Sequence, residues 1–304
     1  MTDSRLHEIV RPGMDGNVVL LGFPRDTGVE INGGRTGSAQ GPEQFRSWLK
    51  RFGTLANPEE DADLSTISIS DAGDIPPGCS HEEAHLALAE KTAEILRRGG
   101  TPFVVGGGND QSYPNASALL NCRPGLPVGV VNVDAHLDVR PLKDGRAHSG
   151  SPFRLLLEDV RFQGENFIEF ASQGSQCSRE HAEYVLRKKG RILWLSKLQE
   201  HGNAAHAFRE TIGNLSWSRP SLFVSFDLDA VSANEAPGVS CPGVLGLSAF
   251  DAVQIARLSG QHPAVELFDL SEYNPAIESE RTGRLAVAIF YYFCLGFAAR
   301  KRAP

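Results

Sequence analysis

The feature that most constrains the fold of this chain is the alternation of short, unbroken apolar runs with longer helix-like segments. The runs are rich in Val, Ile, Leu and Phe. Such runs are typical of parallel strands in a sheet that helices cover on both faces. The predicted strands are residues 18–23, 66–70, 102–105, 128–133, 167–171, 192–195, 222–226 and 264–268.

The segments between these runs have helical character. Ser80 precedes Glu82 and Glu83, and Ser178 precedes Glu180, which is the capping chemistry expected where a helix begins. The alternation predicts a single-domain, doubly wound three-layer α/β/α fold with a mainly parallel sheet. This domain is expected to span residues 1–304. The predicted helices are residues 42–52, 81–98, 111–120, 178–189, 204–212, 248–258 and 278–299.

Composition and charge exclude several classes of function. The net charge is −7, which argues against a surface that binds nucleic acid or an anionic membrane. The apolar run at residues 285–299 is shorter than the roughly 18 residues of a membrane span, so it is predicted to be a core or interface helix. The N-terminal residues lack an apolar signal core, and the five cysteines form no CxxC pair. A cytoplasmic protein is therefore expected.

Polar side chains follow the predicted strand at residues 128–133. In an extended chain, Asp134, His136 and Asp138 would point to one face. Two carboxylates on one face repel each other unless a cation lies between them, and an imidazole is a further ligand for such an ion. The alternative is an ordinary turn in which Asp138 caps the backbone and His136 packs.

A second pair of carboxylates, Asp227 and Asp229, follows the apolar strand at residues 222–226. A solvated strand end is the alternative, but strongly apolar neighbours make it less favourable. Four carboxylates and one imidazole suit a hard or borderline ion such as manganese better than zinc. They also exceed the needs of one ion, so two ions with shared carboxylates are predicted at the carboxyl ends of these strands.

A third strand end, at residues 102–105, is followed by Gly106, Gly107 and Gly108 and then by Asn109. Glycines at this position permit a close approach of the backbone or unusual dihedral angles. A phosphate-binding loop is the competing interpretation. It is weak, because no Lys-Ser/Thr pair follows and the glycine spacing does not fit a dinucleotide site.

Taken together, these motifs resemble the ureohydrolases, the arginase and agmatinase superfamily of binuclear manganese enzymes. Within it, the triple glycine, the Gly33-Gly34-Arg35 loop and residues 148–153 are most similar to the formiminoglutamases. The resemblance implies an arginase-like fold and hydrolysis of N-formimino-L-glutamate to L-glutamate and formamide in histidine degradation. The matching segments, in chain order, are residues 32–35, 41–42, 71–75, 106–108, 134–138, 148–150, 225–229, 236–238 and 269–275.

The resemblance also implies a ligand set for two Mn²⁺ ions. In it, Asp134 and Asp227 bridge the ions, and a hydroxide between the ions attacks the formimino carbon. Where the family usually has a histidine ligand, this chain has Asn109, whose amide oxygen is a neutral, hard ligand. The alternative is that Asn109 binds nothing and one ion is held weakly. Asp110 is expected to lie just outside the ligands, and the alternative is that it substitutes for Asn109 as a ligand. The implied ligands are Asn109, Asp134, His136, Asp138, Asp227 and Asp229.

Residues around these ligands also receive roles from the resemblance. His148 would transfer a proton to the departing nitrogen, and Glu272 would pair with the cationic amidine. Arg140 and Arg35 are predicted to bind the substrate carboxylates, because bidentate Arg–carboxylate pairing suits them. The alternatives are an exposed loop histidine, a turn-forming acid beside Pro275, and two surface arginines. Cys241, in the loop after Asp229, is expected to be a buried, inert thiol.

Other functions stay open at this point. One is a different ureohydrolase specificity, such as arginase, agmatinase or guanidino-acid hydrolase. Another is a metal-poor, non-catalytic protein with the same fold, an interpretation favoured only by Asn109. A homo-oligomer, either trimer or hexamer, is also expected by resemblance, with a small molecule as the substrate.

Overall fold

Parallel strands form one large sheet at the centre of the molecule. The computed structural model describes residues 4–78, 80–200, 203–215 and 221–300. Within these ranges, nine strands are hydrogen-bonded in the order β1-β5-β2-β6-β11-β10-β7-β8-β9, and every neighbouring pair is parallel. The strands β3 and β4 form a separate antiparallel pair. The strands are β1 (Val10–Pro12), β2 (Val18–Phe23), β3 (Ala56–Asn57), β4 (Ala62–Asp63), β5 (Ile69–Asp74), β6 (Thr101–Gly106), β7 (Val128–Val133), β8 (Phe167–Ser172), β9 (Arg191–Trp194), β10 (Ser221–Asp227) and β11 (Val265–Ser271).

Helices cover both faces of this sheet. Leu20 on β2 packs into one apolar core with α2 and α7 to α10, whereas Leu21 packs into a second core with α3 to α6. Because successive strand residues point to opposite faces, the inner strands of the sheet contribute to both cores. This arrangement confirms the doubly wound three-layer α/β/α fold. The helices are α1 (Thr27–Asn32), α2 (Gly41–Leu49), α3 (His81–Arg97), α4 (Ser112–Cys122), α5 (Pro152–Glu158), α6 (Arg179–Arg187), α7 (Leu195–Glu200), α8 (Ala204–Leu215), α9 (Ala249–Gln261) and α10 (Glu280–Ala298).

Most predicted elements lie where the apolar pattern placed them. The strands at residues 18–23 and 128–133 have the predicted bounds, whereas the strand predicted at 66–70 actually runs from Ile69 to Asp74. Its polar second half looks like a loop in the sequence. Arg46 stabilises that half by binding both Asp71 (2.7 Å) and Asp74 (2.6 Å).

The elements that the sequence did not predict are short. The helices α1, α5 and α7 are six or seven residues long and were not predicted. Elements of fewer than two turns show too few apolar repeats to be recognised from periodicity. The three-residue edge strand β1 was missed for the same reason.

The apolar run at residues 285–299 belongs to α10, which is a core helix. Phe290 and Phe293 are fully buried, and both rings pack against Phe103 on β6. Among the described helices, none combines the length and apolar character needed to cross a bilayer. The cysteines at positions 122, 177, 241 and 294 form no disulfide, and Cys79 lies outside the described residues. That one domain spans all of residues 1–304 stays a prediction, since both termini lie outside the described ranges.

Candidate metal centre

The predicted ligands and Glu272 gather at the carboxyl ends of four adjacent strands. In sheet order these strands are β6, β11, β10 and β7. Asn109 follows β6 and Glu272 follows β11, whereas Asp227 ends β10 and Asp134 follows β7. Parallel strands present their carboxyl ends at one edge, which is where open α/β sheets bind ligands. The topology therefore brings together side chains that are far apart in sequence.

Two similar turns direct the carboxylates toward this edge of the sheet. Asp134 Oδ1 accepts a hydrogen bond from the His136 N–H (2.6 Å), and Asp227 Oδ1 accepts one from the Asp229 N–H (2.9 Å). The expected extended geometry at residues 134–138 is wrong, because β7 ends at Val133 and the chain turns there. An aspartate that binds the backbone two residues on stabilises such a turn. The turns, and not strand alternation, make the ligands converge.

Backbone strain is concentrated at the same edge. Asp138 (φ 44°) and Glu272 (φ 68°) both adopt left-handed conformations. Such a residue costs about 1–3 kcal/mol and persists where its surroundings hold it. The Glu272 N–H donates to the Gly107 carbonyl (2.7 Å). A Cβ atom at Gly107 would lie 1.7 Å from the Arg25 carbonyl oxygen, so the triple-glycine turn serves the close packing of backbone on backbone.

The ligands form two overlapping groups that share Asp134. One group contains Asp134, His136 and Asp229, and the other contains Asp134, Asp138 and Asp227. Within each group the potential ligand atoms lie within 4.8 Å of one another. Asp134, Asp227 and Asp229 are buried, whereas His136 and Asp138 are partly exposed. One shared carboxylate between two groups is the arrangement that a binuclear site requires.

Electrostatics favour cations at this position. Burial, followed by repulsion from neighbouring carboxylates, raises the pKa of Asp138 and of Asp227 well above the usual range. Burial also raises the pKa of Asp229 to about 6, while the charge of Asp229 raises the pKa of His136. Hydrogen bonds and the charge of His136 lower the pKa of Asp134 even though burial opposes this. A single imidazole is too little positive charge for so many carboxylates.

Unpaired oxygen atoms indicate that these residues are suited to hold a cation or a cationic ligand. Asp229 Oδ1 and Glu272 Oε2 are buried and have no hydrogen-bond partner within the part of the chain that the structure describes. An unpaired buried carboxylate oxygen is costly unless a cation or a ligand satisfies it. The donor set and its unmet bonds therefore suit two hard divalent ions.

Asn109 is fully buried within the ligand cluster. Its Nδ2 donates to Asp138 Oδ2 (2.9 Å) and to Asp134 Oδ2 (3.4 Å). Its Oδ1 accepts from the hydroxyls of Ser112 (2.7 Å) and Ser271 (3.3 Å). Ligation through Oδ1 would require the amide to turn, after which both hydroxyls would accept from Nδ2. Ligation by Asn109 stays a prediction, and its contact with two ligands is established.

His148 is not brought to the ligand cluster. The ring is buried, its Nε2 donates to the Pro141 carbonyl (3.0 Å), and its Nδ1 accepts from the Gly150 N–H (3.1 Å). The alternative of an exposed loop histidine is therefore wrong. A role in proton transfer stays a prediction, and it requires the loop from Pro141 to His148 to rearrange.

Four of the predicted ligands, His136, Asp138, Asp227 and Asp229, line the floor of a cleft of about 380 Å³, and Glu272 lines the same space. Arg140 lines the cleft and donates to Asn32 Oδ1 (3.2 Å). Arg35 also lines it, but its guanidinium already donates to the carbonyls of Ser240 (2.9 Å) and Val239 (2.8 Å). Arg140 is thus the arginine with more donors free for a substrate carboxylate.

Several cleft residues were not predicted as site residues. Asn32 Nδ2 donates to the Ser149 hydroxyl (3.0 Å), and both residues line the cleft. They belong to the motifs at residues 32–35 and 148–150, which was the available signal. The expectation of a buried Cys241 is wrong, because this residue is exposed at the cleft. Ser240 beside it lines the cleft as well.

Buried polar residues behind the cluster hold the ligands in place. Asn132 Nδ2 donates to Asp134 Oδ2 (3.1 Å) and to Glu169 Oε2 (2.8 Å). The Ser112 hydroxyl, which donates to Asn109, also lies 3.1 Å from Asp269 Oδ2. Asn132 and Glu169 lie inside strands and Ser112 begins α4, so sequence patterns gave no sign of their role, whereas Asp269 belongs to the matching segment 269–275.

A larger cavity of about 580 Å³ lies elsewhere, around Leu120, Val128 and Arg161. Val128 begins β7, so this cavity lies at the opposite end of the strands from the ligands. None of the described candidate metal groups belongs to it. Size alone does not identify the functional site, because four of the predicted metal ligands line the smaller cleft.

Comparisons with known proteins agree with this geometry. The chain matches the arginase family over residues 16–296. It is 31% identical over 290 residues to a formimidoylglutamase of Klebsiella pneumoniae, covering 94% of this chain and 87% of the relative. A crystal structure of Trypanosoma cruzi formiminoglutamase with Mn²⁺ is 46% identical, with a TM-score of 0.94 and coverage of 99% and 100%. A formimidoylglutamase of Bacillus subtilis, 22% identical with a TM-score of 0.90 over 98% of this chain and 92% of the other, shares the fold.

Proposed function

This chain belongs to the arginase family, and we propose that it is a metal-dependent hydrolase of linear amidines, a formimidoylglutamase. The reaction would convert N-formimino-L-glutamate to L-glutamate and formamide, a step of histidine degradation. The observation that carries the proposal is the pair of ligand groups sharing Asp134 on the floor of a cleft that also contains Glu272 and Arg140. The similar formimidoylglutamases named above support the choice of substrate.

Two Mn²⁺ ions are the proposed cofactors. Asp134, Asp138 and Asp227, with Asn109, would hold one ion. Asp134, Asp227, His136 and Asp229 would hold the other. When bound, the ions would lower the pKa of a shared water and so provide a hydroxide nucleophile near neutral pH. The chain's own part is to fix the ligand positions through the turns at Asp134 and Asp227.

Glu272 is suited to orient the cationic amidine. Its carboxylate faces the cleft, and Oε1 accepts only a long hydrogen bond from the Asn109 N–H (3.3 Å). Burial, and repulsion from Asp229 and Asp138, raise the pKa of Glu272 well above the usual range. An amidinium group would satisfy the unpaired Oε2 and stabilise the ionised carboxylate.

The substrate carboxylates require donors at the mouth of the cleft. Arg140 is exposed there and is held by Asn32, so it is the proposed binder of one carboxylate. Arg35 is the proposed second contact. It offers fewer free donors to the substrate, because its guanidinium already donates to the carbonyls of Val239 and Ser240. His148 is proposed to supply the proton to the departing glutamate nitrogen once its ring leaves the Pro141 carbonyl.

A substrate panel tests the proposal. The purified protein, reconstituted with Mn²⁺, is incubated with N-formimino-L-glutamate, arginine, agmatine and a guanidino acid, and the products are quantified. Glutamate and formamide from the first substrate alone are expected. Urea from a guanidine substrate would instead assign another ureohydrolase specificity, and no product from any substrate would contradict an enzymatic function. A trimer or hexamer in the cytoplasm stays a prediction.

A further inference from the structure

A second set of metal-binding side chains lies outside the carboxylate cluster and shares no residue with it. His81 and His85 occupy positions one turn apart on α3, and Asp110 follows Asn109. His85 Nε2 is 2.7 Å and His81 Nε2 is 3.9 Å from Asp110 Oδ2. One potential ligand atom from each residue lies within 4.8 Å of the other two. We propose that His81, His85 and Asp110 bind a third divalent ion, of the zinc class.

The hydrogen bond between His85 and Asp110 leaves other buried polar atoms of these three side chains without partners. The side chains of His81 and Asp110 are each 1% exposed. His81 Nδ1 and Asp110 Oδ1 are buried without a hydrogen-bond partner among the described residues. Buried polar atoms are almost always paired, so the unpaired carboxylate oxygen of Asp110 indicates a missing partner. A bound ion would compensate the negative charge of the buried Asp110 carboxylate.

The donor types select the kind of ion. Two imidazoles and one carboxylate are ligands that zinc accepts in tetrahedral sites, whereas the carboxylate-rich cluster suits manganese. Histidines four residues apart on a helix lie on one face, as a shared ion requires. Burial lowers the pKa of His81, which favours the neutral ring, the form that binds metals. The side chain of His85 is 14% exposed and offers a path of entry.

The surrounding backbone supports the same assignment. The Ala147 carbonyl oxygen lies 3.1 Å from His81 Nε2, so this oxygen, or a water that enters beside His85, would complete four ligands. A Cβ atom at Gly28 would lie 2.0 Å from Asp110 Oδ1, so glycine leaves the space that this carboxylate occupies. An ion here would join α3, the turn that carries Asn109, and the loop that carries His148. It would thereby stiffen the loop whose Ser149 lines the cleft.

Metal counting on the intact protein tests the site. Wild-type protein saturated with Mn²⁺ is titrated with Zn²⁺ at micromolar concentration, freed of excess metal, and both metals are quantified per subunit. One zinc ion should be gained with no loss of manganese. Replacement of manganese by zinc, one for one, would place the zinc in the carboxylate cluster and overturn the proposal. No gain of zinc would also overturn it.

Variants and diffraction locate the ion. His85→Asn should lose the extra zinc and keep its manganese, whereas the exposed control His206→Asn should keep both. Retention of the zinc by His85→Asn would refute the assignment. Anomalous scattering at the zinc edge from wild-type crystals requires no variant, and a peak among His81, His85 and Asp110 is expected. Because Asp229→Asn alters only the other cluster, it should still take up zinc even if manganese binding is lost.

Discussion

Removing the side chain of Asn109 should weaken the binding of one of the two manganese ions. Asn109 donates to Asp138 Oδ2 at 2.9 Å, a normal length, and to Asp134 Oδ2 at a longer 3.4 Å. Hydrogen bonds to charged groups contribute about 1.5–3 kcal/mol each. If only the shorter bond counts, Asn109→Ala should lower the affinity for that ion about 10- to 100-fold, since each 1.4 kcal/mol is about tenfold. The same loss is expected if Asn109 itself ligates the ion.

A manganese titration of the metal-depleted protein measures this effect. Two binding steps are expected for the wild type, and Asn109→Ala should shift one step by the stated factor and leave the other nearly unchanged. Asn121→Ala is the matched control, because this exposed asparagine only accepts a bond from Arg161. Asn109→His should restore the weakened step with a ligating imidazole. Two unshifted steps in a folded Asn109→Ala protein would refute both roles of Asn109.

Three further variants test other parts of the site. Asp134→Ala should abolish manganese stimulation and turnover, because both ligand groups share Asp134, and full activity in a steady-state assay would exclude the cluster. Arg140→Ala should raise KM for the dicarboxylate substrate about 10- to 100-fold with little change in kcat, and an unchanged KM would remove Arg140 from substrate binding. Burial raises the pKa of Asp269 to about 7, so its stabilising contribution is full below pH ~4 and is lost as pH rises to about 7. Asp269→Asn should remove this pH-dependent loss in the free energy of unfolding, which is about 4 kcal/mol for the stated pKa shift. Denaturant unfolding at several pH values measures it, and the same pH dependence in both proteins would contradict the prediction.

The fold and most of the ligands could be predicted because they depend on local patterns. Continuous apolar runs place β7 and β10, and the carboxylates follow where those runs end. The way in which Asp134 and Asp227 converge was not predictable in the same way. It depends on side chains that accept hydrogen bonds from the backbone two residues on, and alternation along an ideal strand does not reveal this.

The supporting residues could not be predicted because their partners are distant in sequence. Glu169 lies inside the buried strand β8, and its link to Asp134 through Asn132 exists only once β7 and β8 pair. The position of His148 is a similar case. Its ring bonds to Pro141 and Gly150 depend on the path of the whole loop, which no periodic pattern describes.

The central claim is that two manganese ions bind where the two ligand groups meet. Anomalous diffraction at the manganese edge, from crystals of the Mn²⁺-saturated wild-type protein, tests it most directly. Two peaks are expected, both adjacent to Asp134, with His136 beside one and Asp138 beside the other. A single peak, or peaks remote from Asp134, would contradict the account.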